Sequence, residues 1–389
     1  MTQLRSCVGR AQDGSDTGRG PASATRITTF RAKVKTAYPL ARGIPAHECS
    51  IRSGEHPEGE HVSVSNDPIA DLPEAAKLRQ TFDPEQLQAD VDRLGARTWG
   101  TQRSLVDGDG LTPSEQTDWR CLALRAPGGD PDRTDPGGPG LQGFADTPWA
   151  AHAPYLTEVL ASLPAELRSA RLMSLAPGVT VPEHRDTPTG LPYGFVRVHV
   201  PIRTNPGAVL TIDGVQHRWQ PGTLWYGDFS RPHSVSNTGE RARIHLVVDC
   251  LVSPELFALF PEAFRRRVPV SEVAFSRPEV PLQAFEPADF RCEVPVPPFA
   301  LRLDDQAAES AEPDLPARVI DDAGTLVLQI TDGPAIALVH VGGGEFRFQG
   351  WTEERGVRLD LFGDTPRVDF FTRCGRRRRH VARKAVLAR

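Results

Sequence analysis

The chain has 389 residues, of which 39% are hydrophobic and 24% charged, and its 45 basic and 50 acidic side chains give a formal net charge of -5. That leaves room for two domains, or one with long extensions, around a sizeable core. It excludes a global electrostatic footprint for nucleic acid or a membrane surface, so neither is expected as a partner. Gly 34 and Pro 36 are many for a helical protein and suit a turn-rich β fold. The cysteines (Cys7, Cys49, Cys121, Cys250, Cys292, Cys374) include no C-x-x-C pair and are too scattered for a small disulfide framework. A reducing, cytoplasmic setting is the expectation. No apolar run approaches a membrane span, and the start lacks a secretory apolar region.

Residues 1–65 are polar, broken by Gly and Pro, and without period; they read as a disordered leader. Organised sequence follows over 66–270. Pro73 to Arg79 and Phe82 to Leu94 read as helices, the second with Asp83 as N-cap, Pro84 at the first helical position, and Leu87, Val91 and Leu94 on one face. Trp119 to Arg125 reads as a strand and 126–146, rich in Gly, Pro and Asp, as a long loop. Pro154 to Ser162 has helical spacing. From Ala170 the period becomes that of strands: Arg171 to Leu175, Phe195 to Ile202, Ala208 to Ile212, Val215 to Trp219, Gly222 to Tyr226 and Ala242 to Asp249. Asp213-Gly214 is a hairpin signal between two of them. Residues 252–267 look helical. A Pro-rich linker is expected over 271–310, a small β-rich unit over 311–373, and a basic solvated tail over 374–389. The fold class is mainly β: a double-stranded β-helix (jelly roll, cupin-like) core with flanking helices and a small C-terminal β-rich unit.

The chemistry concentrates between Leu172 and Asp249. His184 and Asp186 lie two apart, so on a strand both face the same side. With His233 they make a 2-His-1-carboxylate set in H-x-D…H order, a facial ligand set for one Fe(II) that leaves coordination positions open. Arg243 follows His233 by ten residues, and from the next strand its planar fork can pair the far carboxylate of a bound dicarboxylic acid. His184, Asp186, His233 and Arg243 are therefore the site candidates. His199 and His245 alternate with apolar neighbours, and either fits a hydrogen-bonded core histidine, the reading preferred for His245. Asp228 fits a turn residue or an orienting group behind His233. Asp249 fits a strand cap or an arginine partner. Trp219, Trp225 and Tyr226 fit packing, and Arg120, Arg125 and Arg203 are candidates for gripping an acidic substrate.

Over roughly 119–255 the chain resembles the aspartyl/asparaginyl β-hydroxylase family, which includes bacterial free-proline hydroxylases. The matching elements are Ala176-Pro-Gly178 leading into Pro182-Glu-His184, Arg197-Val-His199, Trp219-x-x-Gly222, Asp228-x-x-x-x-His233 and Arg243-x-x-x-x-x-Asp249. The resemblance implies that His184 and His233 ligate iron, that Arg243 binds the distal carboxylate of 2-oxoglutarate, and that Arg197 and His199 help to hold this cosubstrate. It implies hydroxylation of a C–H bond of an amino acid or amino-acyl side chain (Asp/Asn-type or proline), with O2 consumed and 2-oxoglutarate released as succinate and CO2. Animal members can lack the carboxylate ligand, whereas Asp186 completes the triad here, which favours hydroxylation over halogenation. The interval from Thr187 to Gly194 resembles an insertion. The helical repeats of the animal proteins are absent, so their substrates do not carry over.

Two other classes fit parts of the sequence. A metal-dependent cupin enzyme without 2-oxoglutarate would not need Arg243. A non-catalytic jelly-roll binding module would not need an intact triad.

Overall fold

The computed structural model describes residues 72–387, apart from 96–98, 107–109, 114–117, 188, 283–285 and 303–311. The leader expected over 1–65 lies outside the described residues. Two sheets form the first half of this region. The larger runs β1-β12-β9-β14-β7-β5-β2, with β6 on β5, and the smaller runs β11-β10-β13-β8. In chain order the strands are β1 (Ala75–Thr81), β2 (Gly100–Thr101), β3 (Arg103–Val106), β4 (Gly110–Pro113), β5 (Trp119–Pro127), β6 (Phe144–Asp146), β7 (Leu167–Leu175) and β8 (Val179–His184). β9 (Phe195–Arg203), β10 (Ala208–Ile212), β11 (Val215–His217), β12 (Thr223–Gly227), β13 (His233–Asn237) and β14 (Arg243–Leu251) follow. β3 and β4 pair only with each other.

Alternation along the strands sorts the residues between two faces. Val196, Val198 and Val200 of β9, Leu246 and Val248 of β14, and Ala170 and Leu172 of β7 join the main core. Helices α1 (Pro84–Leu94) and α2 (Pro154–Ser162) seal this face with Leu87, Val91, Leu94, Leu156 and Val159. The opposite phase, with Arg171, Arg197, His199, Arg243, His245 and Asp249, faces the smaller sheet. A second cluster of Leu175, Val181, Leu210, Ile212, Trp219, Phe229 and Val235 fills the space there. This is the jelly roll expected from the strand spacing. The α1 cap is as anticipated: Asp83 Oδ1 accepts from Glu85 N at 2.9 Å and Gln86 N at 3.3 Å. The β10–β11 turn places Asp213 and Gly214 at φ 49° and 77°.

Four expectations change. The segment 73–79, expected to be helical, lies largely in strand β1, because buried Ala76 and Leu78 alternate with exposed Lys77 and Arg79 and the segment pairs with β12. A sheet partner overrides its helix-forming composition. The helix expected over 252–267 is two short ones, α3 (Pro254–Phe257) and α4 (Glu262–Arg265). The expected linker contains β15 (Cys292–Val296), and the expected tail forms β22 (Arg377–Lys384) and β23 (Val386–Leu387). With β16 (Leu315–Asp322), β17 (Thr325–Ile330), β18 (Ala335–Gly342), β19 (Glu345–Phe348), β20 (Arg355–Asp360) and β21 (Arg367–Cys374), they make one sheet ordered β22-β21-β20-β19-β18-β17-β16-β15-β23. Since β23 continues β22 after one residue, the stretch 377–387 borders both ends and closes the sheet into a barrel around Val294, Phe346, Phe348 and Phe370. In the tail, charge masked the alternation.

Two loops of the jelly roll dock on this barrel. Gly140 N donates to Gln349 O, and Ala337 N to Gly140 O, each at 3.0 Å. The 3-10 turn Leu191–Tyr193 receives Gly375 N on Pro192 O at 3.0 Å and Thr352 Oγ1 on Tyr193 O at 2.6 Å. Among the described residues no helix is long and apolar enough to cross a membrane.

Candidate metal centre and cosubstrate site

His184 ends β8 and His233 begins β13, and the two are direct partners across that antiparallel pair. Their rings sit 4.2 Å apart between centroids. Beyond β8 the chain bends so that Asp186 N donates to Phe229 O at 2.9 Å, and Arg185 Nη1 to Ser230 O at 2.9 Å. Asp186 Oδ1 thereby lies 3.8 Å from His184 Nε2 and 3.9 Å from His233 Nε2. Among the described residues these three form the one group of His, Cys, Asp or Glu side chains placed to share a metal ion.

The donor chemistry fits a metal. His184 Nδ1 lies 2.9 Å from Pro182 O, and His233 Nδ1 lies 2.9 Å from Arg231 O. A carbonyl can only accept, so each Nδ1 carries the proton and each Nε2 turns a lone pair toward Asp186. Burial lowers the pKa of His233 against the pull of Asp186, which keeps that ring neutral. Two imidazoles and one carboxylate suit Fe(II), and His184 and Asp186 are partly exposed, leaving one side open.

Arg197 sits behind Asp186. Its Nη1 pairs with Asp186 Oδ2, while Nε and Nη2 donate to Asp249 Oδ1 and Oδ2 at 2.7 and 2.9 Å. β9 and β14 put Arg197 and Asp249 in direct register. Burial works against the Arg197 charge, but Asp249 and Asp186 outweigh it and hold its pKa above the ordinary value. Burial likewise opposes the Asp249 carboxylate, and Arg197 outweighs it, so its pKa falls below the usual range. Ser169 adds a hydrogen bond to Asp249 Oδ2 at 3.0 Å. The structure thus engages Arg197 with two carboxylates, one of them the candidate ligand.

His199 stacks on Phe229 at 4.9 Å, and Phe229 packs edge-on against His233 at 5.0 Å. Its Nδ1 lies 3.3 Å from His245 Nδ1, and its Nε2 is buried without a partner among the described residues. Burial first, then the nearby guanidinium of Arg243, drives both histidines well below their ordinary pKa, so both rings are neutral. Further along β14, Arg243 is buried beside Leu210, His217, Trp219 and His245, which line a small pocket with it. Burial alone pushes its pKa down to about 10, with no carboxylate among the described residues to offset it. A buried cation lacking a counter-ion is unfavourable by itself and marks a place for an anion.

The other candidates make local contacts. Arg120 pairs with Asp118, Arg203 with Asp92 and Gln88, and Arg125 with Asp146, the Phe144 carbonyl and the Leu167 carbonyl. Asp228 accepts from Ser230 N and Arg231 Nε at 3.2 and 2.9 Å, shaping the turn that delivers His233. Trp219 stacks on Trp225 and Tyr226 packs on Phe260. Phe229 and Arg171 were not singled out from the sequence. An aromatic residue four before His233, and an arginine on the inward phase of β7, were the available signals.

Residues 84–252 match the sequence profile of the family described as Aspartyl/Asparaginyl beta-hydroxylase. The L-proline cis-4-hydroxylase of Rhizobium meliloti (strain 1021) is 27% identical over 124 residues, 31% of this chain and 42% of that protein. The chain thus spans less than half of this relative. Among solved structures, a 2OG-Fe(II) oxygenase family oxidoreductase from Burkholderia pseudomallei matches 44% of this chain and 79% of its own, at 16% identity and TM-score 0.30. A prolyl-4-hydroxylase from Pseudomonas putida matches 48% and 96%, at 16% identity and TM-score 0.29. Superpositions of that quality leave the fold to be read from the chain's own strands.

Proposed function

From a jelly roll of the aspartyl/asparaginyl β-hydroxylase type with this donor set, we propose that the protein is an Fe(II)- and 2-oxoglutarate-dependent hydroxylase acting on a C–H bond of an amino acid or amino-acyl side chain. The observation that carries the reading is the pairing of the His184, Asp186 and His233 cluster with a buried arginine, Arg243, that has no counter-ion among the described residues. His184, Asp186 and His233 would hold the iron. Iron with 2-oxoglutarate supplies O2 activation and C–H hydroxylation, yielding succinate and CO2.

The chain's own residues do the rest. Arg243 receives the distal carboxylate of 2-oxoglutarate through its planar fork. Neutral His199 and His245, with Trp219 and Phe229, form a run of packed rings from the Arg243 pocket to His233. His199 Nε2, without a partner among the described residues, supports a polar contact to the cosubstrate. Arg197, held by Asp249, pairs with Asp186 Oδ2 and leaves Oδ1 facing the histidines. Its engagement with both carboxylates favours this orienting task over direct cosubstrate binding. The single-signal alternatives, a cupin enzyme without 2-oxoglutarate or a binding module, leave Arg243 unexplained.

The test is succinate release from 2-oxoglutarate by purified protein with Fe(II), ascorbate and O2, in the presence of amino acids and short Asp-, Asn- and Pro-containing peptides. Release that disappears in His233→Ala is expected. Absence of both release and anaerobic Fe(II)/2-oxoglutarate binding would overturn the reading.

A further inference from the structure

The C-terminal barrel closes over only two residue pairs. Cys292 and Glu293 of β15 pair with Leu387 and Val386 of β23, whereas β22 pairs with β21 and, among the described residues, with no strand on its other side. Prolines account for the short seam. β15 continues through Pro295 and is followed by Pro297, and neither residue brings an N–H to a ladder. The chain then turns at Pro298–Ala300, where Arg379 Cζ lies 4.3 Å from the centroid of the Phe299 ring. β22 is left as an edge strand.

The hairpin register shows which of its backbone groups are unpaired. Cys374 and Arg377 flank the two-residue turn Gly375-Arg376, so they form the hydrogen-bonded closing pair of β21 and β22. Such pairs recur at alternate positions: Thr372 with Arg379, Phe370 with Val381, and Val368 with Arg383. Arg378, His380 and Ala382 therefore aim their N–H and C=O groups away from β21, along the open edge. These three residues are exposed, while Arg379, Val381 and Arg383 are partly buried. One side chain reaches the edge, with Arg383 Nη1 donating to Ala382 O at 3.2 Å.

The charge along this edge is not compensated. Neighbouring arginines are matched: Arg373 with Glu345, Arg376 with Glu272, and Arg383 with Asp314. Arg378 and Lys384 are exposed, have no carboxylate partner among the described residues, and stand on either side of His380. A second copy of β22 is a poor partner, because it would set arginine and lysine against like charge. A strand of opposite sign meets the reverse situation. Acidic side chains at every second position would lie beside Arg378, His380 and Lys384 while its backbone completed the unpaired ladder. Single-stranded nucleic acid suits the surface less well. The phenyl rings of these two strands, Phe370 and Phe371, are buried and offer no platform on which bases stack.

We propose that the open edge of β22 docks an extended acidic segment of a partner protein, which adds to the barrel as a further strand. The inference is independent of the iron and 2-oxoglutarate reading.

The test titrates the full chain into a fluorescein-labelled nonapeptide that alternates glutamate with threonine and valine, followed by fluorescence anisotropy. Saturable binding is expected, weakened about tenfold or more when lysine replaces every glutamate. Two further peptides are N-methylated, one at the glutamates and one at the intervening residues. Only one of these sets faces the edge, so one peptide should bind about tenfold more weakly and the other should match the parent. Ala382→Pro removes an N–H that β21 does not use and should weaken binding about tenfold with Tm retained. The double variant Arg378→Glu, Lys384→Glu leaves the backbone alone and should exchange the preference, taking the lysine peptide over the glutamate one. The proposal is overturned if no saturable binding is seen, or if glutamate and lysine peptides bind alike. It is overturned equally if neither N-methylated peptide loses affinity, if the charge-reversed variant keeps the original preference, or if oligothymidylate of equal charge displaces the peptide as well as the peptide displaces itself.

Discussion

Asp249→Asn isolates the orienting pair behind the metal site. The substitution keeps volume and Ser169 as neighbour but removes the charge that receives Arg197 Nε and Nη2 at 2.7 and 2.9 Å. Breaking a buried ion pair from one side typically costs about 3–5 kcal/mol. Arg197 retains Asp186, so the lower end applies, about 3 kcal/mol, or a fall of roughly 6–12 °C in Tm for a unit of this size. Asp186 then becomes the sole carboxylate partner of Arg197 and is drawn toward it, so Mn(II) affinity should drop about 10–100-fold, as for other groups behind metal ligands. The pH dependence has a definite sign. The Asp249 carboxyl has a folded pKa below its unfolded value, so its contribution is complete above about pH 4 and is lost as pH falls through the folded value. The variant should therefore be less stable at pH 7 and lose less than the wild type on acidification. Thermal melts across pH and a Mn(II) titration followed by electron paramagnetic resonance measure both quantities. A variant with wild-type Tm and Mn(II) affinity at pH 7 would show that Arg197 does not depend on Asp249, and the orienting reading would fall.

Arg243→Met should behave in the opposite way. Removing a buried guanidinium that burial already pushes down to about 10 is expected to leave the ligand-free Tm unchanged or raise it, while calorimetry shows 2-oxoglutarate binding weakened about 30-fold or more. A lower Tm with unaltered 2-oxoglutarate affinity would assign Arg243 to structure. Gly222→Ala tests the β12 entry: φ is 75°, and a Cβ would stand 2.3 Å from Phe82 O. A destabilisation of about 1–3 kcal/mol is expected in denaturant melts, with 2-oxoglutarate affinity retained. A neutral result would mean that the β1–α1 junction yields.

Where side-chain chemistry and period agreed, the sequence was legible. Most strands from 167 to 251 were read from their period, and Asp213-Gly214 admits few turns other than a hairpin. But β8 and β13, which carry His184 and His233, were not read, and Asp186 meets the histidines through a bend beyond β8 rather than from the strand that the H-x-D spacing implied. Arg243, read from the sequence as a carboxylate partner, is buried with no carboxylate among the described residues to offset its charge. Misreadings arose where composition spoke louder than alternation. Ala75–Thr81 carries helix formers yet is an edge strand, and Arg377–Lys384 looks like a solvated run although Val381 packs against the barrel core. Arg197 illustrates a different limit. Its role depends on which carboxylates meet it across two strands and a loop, and register of that kind is a property of the folded sheet.

The barrel closes through its last strand segment, 377–387, which pairs with β15 some ninety positions earlier in the chain. Synthesis is vectorial, so the jelly roll can emerge and fold while this closure is still pending. During that interval the 126–146 loop and the turn at 191–193 lack the backbone partners at Gly140, Pro192 and Tyr193 that the finished barrel supplies. The residues that follow Asp186 thus take part of their setting from barrel residues Thr352 and Gly375, far later in the chain. The rim is braced by a module that contributes none of the candidate metal ligands.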